Sequence, residues 1–158
     1  MSQMREEAEA LATALVIGAA DVDEAIDWAD AHIAQLDQPH WSLCEVATSR
    51  GRPLQDVLGF LQQVPGAAEQ RRVMRHLMAH MARKLQRHPA RVDQIATALY
   101  QLHCTVEIED PEFRYLVLWA SDELDLAGDY RVDAYAEVAT EMRKELENIL
   151  RSEDDAEP

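Results

Sequence analysis

At 158 residues, with 47% hydrophobic and 28% charged side chains, the chain is long enough to bury a core without disulfides or metal ions, and it is not compositionally disordered. Its formal charge of −15, from 30 acids against 15 bases, argues against nucleic acid and anionic membranes as partners and favours a basic protein. No run approaches the roughly 18 consecutive apolar residues needed to span a bilayer.

Helix punctuation recurs at short intervals from the first residues onward, and no stretch of strict polar and apolar alternation competes with it. The first helix is expected over 2–19. Its apolar stretch, LATALVIGAA, has the look of a secretory signal, but Arg5 is followed at once by Glu6, Glu7 and Glu9 rather than by further positive charge. A cytoplasmic location is the expectation. Asp21 opens the second helix with Glu24 three places on, the spacing at which a capping side chain and a third-position acid satisfy each other's amides. This helix should end near Leu36, with Val22, Ile26, Ala29, Ile33 and Leu36 turned inward.

Pro39 is expected to start a third helix through Trp41, Leu43, Cys44 and Val46, stopping at Gly51, and Pro53 a fourth through Leu54, Val57, Leu58 and Leu61. After the turn at Val64, Pro65 and Gly66, a fifth helix over 67–87 carries Met74, Leu77, Met78, Met81 and Leu85 on one stripe. Pro89 begins a sixth, with Val92, Ile95, Ala96 and Leu99 inward. Asp110 caps and Pro111 opens a seventh that runs to Gly128. An eighth, from Asp129 or Tyr130 to about Leu150, places Tyr135, Val138, Met142, Leu146 and Ile149 at helical spacing. The fold class is therefore all-α. About eight helices joined by short loops form a single domain over 1–150, either a multi-helix bundle or a short stack of antiparallel helical hairpins, and 151–158 form a disordered acidic tail.

Motifs that carry chemistry are sparse. His76 and His80, four apart on the fifth helix, share a face as two metal ligands would, but the run HLMAH lacks the glutamate of the zinc-protease pattern and Arg72, Arg83 and Arg87 lie on the same face. The expectation is a basic face, either neutralised by the protein's own acids or open to a ligand, with no metal and no cofactor. Cys44 and Cys104 lack the partners of a nucleophilic triad and are expected to be buried, unpaired thiols. No pair of carboxylates stands apart as an acid and base, so the chain is read as non-enzymatic.

Two features look like interaction surfaces. Helical geometry groups Asp23, Asp27, Asp30 and Asp37 on one flank of the second helix, where like charges repel unless a partner relieves them. The seventh helix is apolar on two sides. Phe113, Leu116, Val117, Ala120 and Leu124 make one face. Tyr115, Leu118, Trp119 and Leu126 make another around Asp122, with Asp125 beside it. A helix apolar all round is usually central and buried, whereas an exposed second face would offer aromatic anchors beside carboxylates. The candidate partner-binding residues are thus Asp23, Asp27, Asp30, Tyr115, Trp119, Asp122 and Asp125.

In size, acidity and helicity the chain resembles the small all-helical immunity proteins with which bacteria neutralise toxins, and the segment EAIDWADAHIAQLDQPHWSLCEVATSRGR is similar to helical stretches of bacterial proteins. That resemblance implies a module that occludes a basic toxin enzyme by binding rather than by chemistry, and it assigns no residues. A self-associating helical scaffold is the alternative.

Overall fold

The computed structural model describes residues 2–106 and 132–154, together with Pro111, Arg114, Tyr115, Leu118, Trp119 and Asp122; in the final stretch, side chains are described for 137–151. Among the described residues the chain is all-helical. The elements are α1 (Ser2–Ile17), α2 (Val22–Ile33), α3 (Trp41–Ala47), α4 (Leu54–Gln62), α5 (Gln70–Arg87), a 3-10 turn (Pro89–Arg91), α6 (Val92–Thr105) and α7 (Val132–Asp154). Seven α-helices are thus described where about eight are expected. The stretch expected to supply the other lies largely outside the described residues, and its six described residues are all helical.

Local chemistry explains the boundaries. After Ile17, Gly18 takes φ 80°, a left-handed conformation that costs glycine nothing, and the Ala20 amide turns back to the Ala14 carbonyl at 3.2 Å. The capping box at α2 is formed: the Asp21 carboxylate accepts from the Glu24 amide at 3.1 Å, and Glu24 accepts from the Asp21 amide at 2.8 Å. α2 ends at Ile33 rather than Leu36, because the amides of Gln35 and Leu36 bond three residues back and tighten the last turn. α3 starts at Trp41 rather than Pro39. His40 is its cap, its imidazole Nδ1 accepting from the Ser42 amide at 3.3 Å. Pro89 opens a short 3-10 turn that precedes α6, and α7 continues to Asp154, past the expected limit at 150.

Contacts divide the chain into two compact units, Met1–Val16 with Ala20–Leu77 and Ile17–Ala19 with Met78–Pro158. In the first unit, α3 packs against both α2 and α4. Leu11, Ala14, Ile26, Leu43, Val57, Leu61 and Leu77 are among its buried side chains. In the second, α7 packs against the 3-10 turn and α6, over a core that includes Met81, Leu85, Ile95, Leu99, Leu102, Met142 and Leu146. The Lys84 ammonium in this unit is buried and donates to the Ala19 carbonyl at 2.8 Å, while the Gln94 amide donates to the Gly18 carbonyl at 2.7 Å. Carbonyls that follow α1 are thereby satisfied from two other helices.

Replacing Asp21 by alanine removes one half of the capping box and leaves an amide of α2's first turn without its acceptor. Denaturant unfolding should show a loss of about 1 kcal/mol. An unchanged midpoint would mean that the box contributes nothing.

Candidate functional site

Three consecutive charged residues of α1 each anchor to a different element of the first unit. Arg5 reaches the end of α4 and the turn after it. Its guanidinium donates to the carbonyls of Leu61, Gln62 and Val64 at 3.2, 2.7 and 3.2 Å, and it pairs with Glu9 one turn on. Glu6 is only 3% exposed and accepts from the Glu69 amide at 3.4 Å, just ahead of α5. The first turn of α5 has no acid of its own, so this carboxylate supplies negative charge where the helix dipole favours it.

Glu7 reaches α2. One carboxylate oxygen accepts from the Trp28 indole N–H at 3.0 Å and lies 2.8 Å from Nε2 of His32; the other accepts from the Gln3 side-chain amide at 3.0 Å. Trp28 and His32 are four apart on α2 and meet edge to face, with ring centroids 4.9 Å apart. Partial burial pushes the Glu7 carboxyl up. The hydrogen bonds from Trp28, His32 and Gln3, with the charge of the imidazole, outweigh burial and hold the group below the ordinary glutamate value. A carboxylate that orients an imidazole is one half of a general-base arrangement, but no hydroxyl or thiol is bonded to His32 among the described residues, and the cluster ties α1 to α2. Among the described residues, no group of three or more His, Cys, Asp or Glu is placed to hold a metal ion.

The expected binding residues fall in both units. Asp23, Asp27 and Asp30 share the exposed side of α2 in the first. Asp23 pairs with Arg50 at 3.3 Å, whereas the side chains of Asp27, Asp30 and Asp37 make no ion pair or hydrogen bond among the described residues. In the second unit, Tyr115 and Leu118 are 67% and 59% exposed, Trp119 is half-buried and Asp122 is exposed. Asp125 lies outside the described residues, as do Phe113, Leu116, Val117, Ala120, Leu124 and Leu126.

The basic face of α5 is only partly neutralised. Arg72 pairs with Glu69 at 3.3 Å, His76 and His80 are half-buried, and Arg83 and Arg87 are exposed without an ion pair among the described residues.

Two expectations are corrected, on the thiols and on Leu36, and the exposure of Trp41 is a separate observation. Both thiols are exposed rather than buried, Cys44 because α3 buries the opposite side through Leu43 and Val46, and Cys104 because it follows Tyr100 on the open side of α6. Leu36 is 40% exposed, because α2 has ended before it. Trp41 is 54% exposed, because it is the first residue of α3 and is not drawn under the helix as Leu43 is.

Comparison with protein-family models, with curated proteins and with solved structures returns no match.

The depressed Glu7 carboxyl has a defined consequence for stability. Its contribution is fully present above the unfolded glutamate value and is lost as pH falls through the lower folded value, so the window opens below about 4.5. Glu7→Gln should cost about 1–2 kcal/mol near pH 7 by denaturant unfolding, and the gap from the parent should narrow as pH falls below about 4.5. A gap independent of pH would show that the carboxylate charge is not what holds Trp28 and His32.

Proposed function

We propose that this chain is a non-enzymatic protein-binding module of the immunity or inhibitor type, which captures a basic protein and occludes its cationic cleft. What supports the reading most is the exposed side of the helical segment in the second unit. Tyr115 and Leu118 leave more than half of their surface in water, one to two turns before the exposed carboxylate of Asp122.

Large side chains of this kind are costly to leave hydrated and are common anchors of binding energy when a partner covers them. A carboxylate beside them selects a cationic partner, because burying it against a neutral surface would cost more than the aromatic contact gains. The net charge of −15 then acts at long range, attracting a basic target and speeding its capture. The unpaired Asp27 and Asp30 of the first unit add to that field.

The test is capture by tagged protein from a lysate of the source cells, at low and moderate salt, with Tyr115→Ala and Asp122→Lys variants alongside. One stoichiometric basic protein should be recovered, held less firmly as salt rises. Its Kd should increase about tenfold for Tyr115→Ala. Recovery of this chain alone would favour a self-associating scaffold and count against the proposal.

A further inference from the structure

The connection between α2 and α3, together with the first residue of α3, carries two exposed apolar side chains, Leu36 and Trp41, and an exposed aspartate, Asp37, lies between them in the chain. α3 begins after the connection 34–40, and Arg50, just beyond its end, pairs with Asp23 in the first turn of α2. The two helices therefore run antiparallel, and Trp41 at the start of α3 lies at the C-terminal end of α2.

His40 fixes the base of this corner. Its Nδ1 lies 2.8 Å from the Ser42 hydroxyl, and its ring sits 5.5 Å from that of Trp41 at a tilt of 42°. Trp41 is nonetheless 54% exposed and Leu36 40% exposed. Cys44 and Thr48, three and seven places after Trp41, continue the open side of α3. Along α2 the exposed Asp27 and Asp30 approach the corner, and Asp37 lies within the turn; none of the three makes an ion pair among the described residues.

An apolar pair bordered by unpaired carboxylates suits one kind of occupant. A neutral apolar segment would strip water from the carboxylates without replacing it, and an acidic one would be repelled. A segment bearing arginine or lysine beside aliphatic residues meets both needs. Its cation stacks on the indole face or pairs with the aspartates, and its aliphatic side chains cover Leu36 and Trp41.

We propose that the α2–α3 corner, with Trp41 and Leu36 at its centre and Asp27, Asp30 and Asp37 around it, is a docking surface for a cationic amphipathic segment of a protein partner. This rests on the reading of the chain as a receptor for a basic protein and names a surface for that role.

The test titrates the full chain at low salt with a short synthetic peptide of alternating arginine and leucine, and with a counterpart carrying glutamine for arginine. Binding is followed by NMR on the indole N–H signals of Trp28, Trp41 and Trp119. The arginine peptide should move the Trp41 indole and the amides of Asp27, Asp30 and Cys44. The Trp28 indole, held by Glu7, should stay in place and report an intact fold. Trp41→Ala, and separately Asp27→Asn with Asp30→Asn, should each weaken binding about tenfold.

Movement confined to Trp119 and the amides near Tyr115 would overturn this surface and leave the basic-partner reading standing. Equal response to the glutamine peptide would overturn the cationic occupant. No response to the arginine peptide anywhere would overturn both the surface and the reading on which it rests.

Discussion

The first unit depends on how one short stretch of α1 disposes of its charges. Arg5, Glu6 and Glu7 are consecutive, so their side chains leave the helix about 100° apart and reach three different elements. Arg5 closes the end of α4, Glu6 sits ahead of the first turn of α5, and Glu7 gathers Trp28 and His32 of α2. Two of these contacts are to backbone groups at helix ends, which lack partners within their own helices and cost free energy if buried without them. A partly buried charge is tolerable here because each is met by several donors or acceptors, or by a helix terminus of opposite polarity.

This arrangement bears on the acidity of the surface. Part of the polar demand of the first unit is met by a few residues of α1 acting on backbone atoms and on two side chains of α2, while the buried hydroxyls of Ser42 and Ser49 bond locally to His40 and to the Glu45 carbonyl. Asp27, Asp30 and Asp37 are not drawn into that work and are exposed without a counter-ion among the described residues. They also lie on the helix that Glu7 positions. Trp28 and His32 turn one side of α2 toward α1, the buried Ala25, Ile26 and Ala29 take the core, and the aspartates take what remains. The acidic flank is thus the side of α2 left over by the core residues and by the two side chains that meet Glu7.

Much of the fold was legible because its signals are local. The Asp21 and Glu24 spacing announced a capping box that is formed, and the apolar periodicity of α5, α6 and α7 picked out Met81, Leu99 and Met142 as core. Features that depend on long-range contact were not legible. Glu6 and Glu7 read only as charges unsuited to a signal segment, since nothing local indicates that one caps α5 and the other meets Trp28 and His32. The four-residue spacing of those two N–H donors on one flank of α2 was a signal in the sequence, but its acceptor lies 21 and 25 residues away. Leu36 is placed on the inward stripe of α2 only if the periodicity is extended past the true helix end, and the exposure of Trp41 follows from where α3 begins. The last turn of α2 tightens before Leu36, and the His40 cap makes Trp41 a first residue rather than an interior one. The acidic flank was visible from spacing alone. That Arg50 engages Asp23, while Asp27 and Asp30 have no ion pair among the described residues, was not.

The central claim is that three neighbouring charges of α1 hold three separate elements. Amide hydrogen exchange on Arg5→Met, Glu6→Gln and Glu7→Gln, compared residue by residue with the parent chain, tests it most directly. Exchange should rise mainly at the end of α4 in the first variant, at the start of α5 in the second and along α2 in the third. Variants that loosen the whole unit alike, or leave these segments unchanged, would contradict the account.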